Sequence, residues 1–267
     1  MLHLHPDKIE LWLAFCDEIA DEGLLADYRQ LLVEEERHKE TRFYFARDRH
    51  RYLITRALVR TVLSRYAPVA PQDWRFVEDA YGRPHIANED SAARRICFNI
   101  SHTRSLVVLG VTCDRALGVD TEDVQARDAG LEIAEHYFAA EEVAQLRATP
   151  CEAQQARFFE YWTLKESYIK ARGLGLSLPL EQFAFDLSQP RGVRIGFHPP
   201  LLDDPARWIF SLWRARADHY VAIGAERAGR EAPQLSFTKV VPLRDAAPLH
   251  CEELRSSEFK AAPRPPA

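Results

Sequence analysis

Glu166 and Lys170 stand four residues apart in the stretch FFEYWTLKESYIKARGLGLSLPL, residues 158–180. With Trp162 four residues earlier, the i, i+4, i+8 spacing stacks all three on one face of a helix. A carboxylate and an ammonium one turn apart are ordinary helix decoration. Beside a bulky tryptophan and just ahead of Gly173 and Gly175, they more often belong to a site. A second pair lies in ALGVDTEDV, residues 116–124. Asp120 and Glu122 are two apart, so on a strand both carboxylates point to the same face. Like charges side by side repel, and a packed fold tolerates them most easily with a cation between them. All-oxygen ligation favours Mg²⁺ or Mn²⁺ over zinc. A lone D-x-E is weak evidence, but a third carboxylate, Glu141 or Glu142, is available at the helix start YFAAEEVAQL. FNISHT ends a strand at Ser101–His102, a usual place for ligand groups, although a lone histidine there is more often structural.

The elements that must position these groups follow from periodicity. Ile9, Leu11, Leu13 and Phe15 alternate with Glu10, Trp12 and Ala14, which predicts a first strand. Residues 24–39 read as a helix. Residues 43–66 read as a long helix, with Leu53, Ala57, Leu58 and Val62 inward and Arg47, Arg49, Arg51, Arg56 and Arg60 on the other face. Short strands are expected at 74–78, 96–100, 106–111 and 116–119, with a turn at 80–84 between the first two. The helix carrying Glu166 runs to Arg172 and stops at Gly173. Strands at 183–187, 193–197, 209–214 and 219–224 follow. From Glu226 onward the pattern changes, for six of the 16 prolines lie there. Residues 226–267 are predicted to be a mostly extended, partly disordered tail, dispensable for the fold.

Composition bounds the function. Hydrophobic residues make up 46% of the 267 and charged residues 28%, as in an ordinary globular protein. A net charge of −5 gives no bulk signal for nucleic acid. No apolar run is long enough for a membrane span, and the N-terminus lacks a secretory signal pattern. Five scattered cysteines without C-x-x-C predict free thiols in a cytoplasmic protein and no structural zinc.

The longer pattern W-x-x-K-E-S-x-x-K followed by G-x-G-x-S, with GVDTE, FNISHT and GRP upstream, resembles the Sfp-type 4'-phosphopantetheinyl transferases of the holo-carrier-protein synthase superfamily. The resemblance covers roughly residues 33–224. It implies an α+β fold of two similar α/β lobes, with the active site in the cleft between them. On that pattern residues 1–114 form the N-terminal lobe, 115–225 the C-terminal lobe and 226–267 the tail. It implies Mg²⁺-dependent transfer of the phosphopantetheine arm of coenzyme A to a serine of an apo acyl or peptidyl carrier protein. Lys39, Arg42, Arg51, Arg83, Ser101, His102 and Lys170 would hold coenzyme A. The family often carries two lysines upstream, and this chain has Glu36–Arg37 where the first would be, so that only Arg37 could stand in. Asp120, Glu122 and Glu142 would hold the metal, and Mn²⁺ is an alternative to Mg²⁺. Glu166 would be the base, with Lys170 and His102 on the phosphates. A monomer with no nucleic-acid or membrane partner is expected. Two other classes use some of the same residues. Another metal-dependent phosphotransfer or phosphodiester-cleaving enzyme would explain D-x-E but not W-x-x-K-E-S-x-x-K or the S-H turn, and the presence of every expected acid and base argues against a catalytically silent carrier-protein binder.

Overall fold

Both faces of the first strand are apolar, and each face packs on a different core. The computed structural model describes residues 2–126, 130–227 and 231–258. The elements are β1 (Lys8–Phe15), α1 (Glu22–Leu31), α2 (Glu34–Thr41), α3 (Ala46–Leu63), β2 (Phe76–Glu78), β3 (Pro84–Ile86), α4 (Ser91–Arg95), β4 (Ile96–His102) and β5 (Leu106–Cys113). They continue as β6 (Leu117–Asp123), α5 (Leu131–Tyr137), α6 (Ala140–Arg147), α7 (Cys151–Arg172), β7 (Phe183–Asp186), β8 (Arg194–Phe197), β9 (Trp208–Arg216) and β10 (His219–Glu226). The last are β11 (Gln234–Val241), β12 (Asp245–Pro248) and β13 (Glu252–Ser256).

Two sheets dominate: a five-stranded one ordered β12-β11-β1-β5-β4 and a four-stranded one ordered β13-β9-β10-β6. Trp12 and Ala14 of β1 face Leu53, Ala57 and Leu58 of α3. Ile9, Leu11 and Leu13 point the other way, into a core shared with Leu117, Val119, Val221 and Ile223 of the second sheet. The outer face of the second sheet, through Phe210, Leu212 and Tyr220, packs on Phe159, Leu164 and Tyr168 of α7. The result is helices, sheet, sheet, helices, the two-lobed α+β architecture. A strand buried on both faces reads as a continuous apolar run, which is why β5, LVVLGVTC, carries almost no polar residue. No helix among the described residues is long and apolar enough to cross a membrane.

The region after Glu226 departs from the expected tail. β11 pairs in parallel with β1, from Lys8 facing Gln234 to Leu13 facing Lys239, and so extends the first sheet. β13 then pairs antiparallel with β9 in the second. Arg255, 3% exposed, donates to the carbonyls of Gln189 and Gly192 at 2.8 and 3.1 Å and to Glu160 at 3.0 Å. Pro233, Pro242 and Pro248 sit beside strands or at their ends, where no ladder hydrogen bond is lost, and the alternation of Leu235 and Phe237 carries the pattern. Residues 259–267, the last part of the expected tail, lie outside the described residues. Truncation after Glu226 is therefore expected to give an insoluble chain or one melting far lower, because it strips β1 of a partner and leaves an open edge. A truncated chain with an unchanged melting temperature would show that these strands add nothing.

Candidate active site

The edge strand β4 of the first sheet runs beside the edge strand β6 of the second. Side chains bridge the two strands. Asn99 Oδ1 accepts from the Val119 amide at 2.8 Å, and Ser101 Oγ from the Thr121 amide at 3.2 Å. A buried strand edge must satisfy its N–H groups, and two polar side chains on β4 do so across the lobe boundary.

On its other side β6 lies under α7. A Cβ on Gly118 would fall onto the backbone of Ser167 and Ala171, closer than atoms tolerate. Glycine at this position lets the helix rest directly on the strand. That contact sets the reach of Lys170. Its Nζ meets Asp120 Oδ1 at 2.6 Å and Ser101 Oγ at 2.9 Å, while Ser101 donates to Asp120 Oδ1 at 2.9 Å. Asp120 is 4% exposed, and its second oxygen, Oδ2, is buried without a hydrogen-bond partner among the described residues. A buried carboxylate oxygen with nothing donating to it is costly. Glu122, two residues on, shares its strand face and is half-buried.

Glu166, one turn before Lys170, lines a cleft of about 400 Å³ together with Arg83, Asn99, His102 and Lys170. Both lobes contribute walls. Burial pushes the Glu166 carboxyl above the ordinary glutamate value; the Asp120 charge adds to this, and Lys170 opposes it. His102 moves the other way. It lines the same cleft, and loss of hydration there, with the Arg51 charge adding to it, holds its ring below the usual histidine value. It is therefore neutral near pH 7 and available as a hydrogen-bond donor or acceptor.

Arg51 is half-buried and pairs with Asp48 at 3.1 Å. Arg83 donates to the carbonyls of Lys170 and Leu117 at 2.5 and 3.0 Å, tying the β2–β3 turn to the end of α7. Lys39 and Arg42 are exposed and do not line this cleft. Glu142 is corrected. It is fully buried in the second lobe, accepting from the Ala139 and Phe185 amides at 3.0 and 2.8 Å, with Lys165 Nζ at 2.7 Å. It is thus spent on the start of α6 and on Lys165. Its neighbour Glu141 is exposed and meets His198 at 2.7 Å. Among the described residues no three His, Cys, Asp or Glu side chains converge closely enough to enclose a metal ion. Asp120 and Glu122, with the orphaned Oδ2, still fit a cation whose sphere is completed from outside the protein, as Mg²⁺ commonly requires.

Sequence reasoning missed three residues. Asn99 and Gly118 are the contacts that join β4, β6 and α7. Lys165, buried beside the site, is the third. An asparagine inside a strand and a glycine ahead of D-x-E were the available signals.

Comparison with known proteins covers the same stretches of the chain. A family model described as the 4'-phosphopantetheinyl transferase superfamily matches residues 116–224, and one described as 4'-phosphopantetheinyl transferase, N-terminal, matches residues 22–114. The 4'-phosphopantetheinyl transferase HetI of Nostoc is 31% identical over 198 residues, 74% of this chain and 82% of the relative. The 4'-phosphopantetheinyl transferase Sfp of Bacillus subtilis is 36% identical over 168 residues, 63% of this chain and 72% of the relative. A phosphopantetheinyl transferase of Thraustochytrium is 29% identical, with 88% of this chain and 85% of the relative covered.

Proposed function

The chain belongs to the 4'-phosphopantetheinyl transferase family, and from that premise we propose how its cleft works. Coenzyme A is the donor and the serine of an apo acyl or peptidyl carrier protein the acceptor. The serine oxygen attacks the phosphorus that bears the pantetheine arm. The bond from that phosphorus to the bridging oxygen breaks, 3',5'-ADP leaves with the electron pair, and the serine proton passes to Glu166.

The observation that carries this reading is the meeting of Ser101, Asp120 and Lys170 across the lobe boundary, with Glu166 one turn away. A serine hydroxyl is a weak nucleophile until a base takes its proton. Glu166, its carboxyl raised by burial and by Asp120, is suited to that task. Lys170 and His102 line the same wall, where an ammonium and a neutral imidazole donate to phosphate oxygens. Asp120 and Glu122 would hold a Mg²⁺ ion, which would neutralise charge on the pyrophosphate being cleaved. Arg51 on α3, whose charge is felt at His102, would reach the nucleotide end. Arg83 serves the same cleft by fixing the end of α7.

Incubation with coenzyme A, Mg²⁺ and an apo carrier protein is expected to add the mass of one phosphopantetheine arm to the carrier. EDTA is expected to abolish the gain. Asp120→Asn is expected to lower turnover by about a hundredfold or more, as loss of a metal carboxylate would, with the fold retained. Full activity in EDTA would remove the metal from this account, and no mass gain with any carrier would remove the proposed reaction.

A further inference from the structure

Tyr44 and Phe45 occupy the turn between α2 and α3 with nothing among the described residues folded over them, 90 and 53% exposed. Their rings meet edge to face at 5.0 Å, and the Arg47 guanidinium lies 5.0 Å from the Phe45 ring centre. The pair is thus held by itself and by an arginine, away from the core. Arg42, Arg47 and Arg49 are exposed around it, and among the described residues none of the three meets a carboxylate. Arg49 donates to the Phe43 carbonyl at 3.2 Å. The contrast is local. On the same helix Arg51 pairs with Asp48, and Arg56 and Arg60 pair with Glu36. In a chain of net charge −5, uncompensated cations gathered around two bare aromatic rings are not an effect of composition.

The helix that follows the turn reaches the cleft, where Thr55 forms part of the lining. Arg51 follows Phe45 by six residues on α3, about 9 Å along the axis at the usual rise. One turn further on, Thr55, which lines the cleft, donates to the Arg51 carbonyl at 2.8 Å. A macromolecule resting on the turn would hold a side chain within reach of the cleft.

We propose that this patch docks the protein bearing the acceptor serine, through an acidic helix with an apolar ridge. The inference rests on the transferase reading above and adds the surface on which the partner sits. Charge complementarity selects the occupant. Unpaired arginines attract an acidic surface, and the two aromatic rings supply the desolvated anchor that fixes it. A second copy of this chain fits poorly, because a twofold contact would set the arginines against one another.

The test uses the full chain, coenzyme A, Mg²⁺ and an apo acyl carrier protein as the probe. Two variants are compared, Arg47→Glu with Arg49→Glu, and Tyr44→Ser with Phe45→Ser. Each should raise KM for the carrier by about tenfold, the scale of losing charge complementarity or an anchor. KM for coenzyme A should stay within about twofold, and the melting temperature should not move, because these side chains touch no core. Carrier binding measured by calorimetry should weaken in step. The salt dependence of kcat/KM should flatten in the arginine variant. An unchanged carrier KM and affinity in either variant would overturn the docking surface. An equal rise in the coenzyme A KM would assign the patch to the nucleotide and overturn it as well. Transfer missing from the unsubstituted chain would instead overturn the reaction on which the proposal rests.

Discussion

Glu166→Gln is expected to slow transfer by about a hundredfold or more, the usual loss when a general base is removed, while coenzyme A still binds. Glutamine keeps the size and one acceptor oxygen but cannot take the serine proton. The sign of the pH dependence follows from the same carboxyl. Its value in the folded protein is raised by burial and by Asp120. The base works only when deprotonated, so the rate should fall with falling pH along a limb lying above the ordinary glutamate range. Lys170 is the one group that lowers it. Lys170→Ala should move that limb to higher pH, and should also raise KM for coenzyme A through a lost phosphate contact. Steady-state rates across pH, beside calorimetry with coenzyme A, check both variants. Unsubstituted rates for Glu166→Gln would exclude it as the base. Were the pair only helix decoration, each change would cost a few tenths of a kcal/mol and leave activity alone.

Lys165→Met is expected to destabilise the fold by about 3–5 kcal/mol, the cost of stranding one partner of a buried ion pair. Lys165 and Glu142 are both fully buried. The ammonium has its three donors placed, on Glu142 at 2.7 Å and on the carbonyls of Leu180 and Phe183 at 2.8 and 2.6 Å. It also lies 4.2 Å from the Phe183 ring centre. The pair ties α6, α7 and the start of β7 together, one residue before Glu166. Glu142→Gln keeps an acceptor for the Phe185 amide and should cost less. Urea titration of both variants measures the difference. If Lys165→Met unfolds at the unsubstituted midpoint, the pair contributes no net stability.

Much of this was legible in the sequence because period and spacing report faces. Asp120 and Glu122 are two apart on a strand, and Glu166 and Lys170 four apart on a helix, so each pair had to share a face. What spacing cannot report is where that face points, and Glu142 shows the cost. Its carboxylate lies among other acids near a helix start, as a ligand would. The third position of a helix is also where a glutamate turns back to its own N-terminus, and that local bond prevails here. Arg83 was found as a residue but not as a strut, because carbonyl acceptors leave no trace in side-chain identity. The strands after Glu226 were masked by proline content, although Leu235, Phe237 and Val240 were there to read. The partner of β11 is β1, at the opposite end of the chain and beyond any local window.

That pairing bears on how the protein is made. The parallel ladder of β1 and β11 joins Lys8 to Gln234, and the second sheet receives β13 from still later residues. During synthesis β1 and β9 therefore wait with one edge bare until nearly the whole chain has emerged. Contacts of such separation close slowly, since a long loop must be ordered before it yields any bonding. At the usual elongation rate of about 5–20 residues per second, the interval between β1 and β11 spans about ten seconds or more. A ribosome-bound fragment ending near Glu226 should accordingly be a substrate for chaperones and proteases, and the full-length chain should shed that sensitivity once β11 docks. Pulse proteolysis of stalled chains of increasing length would locate the step.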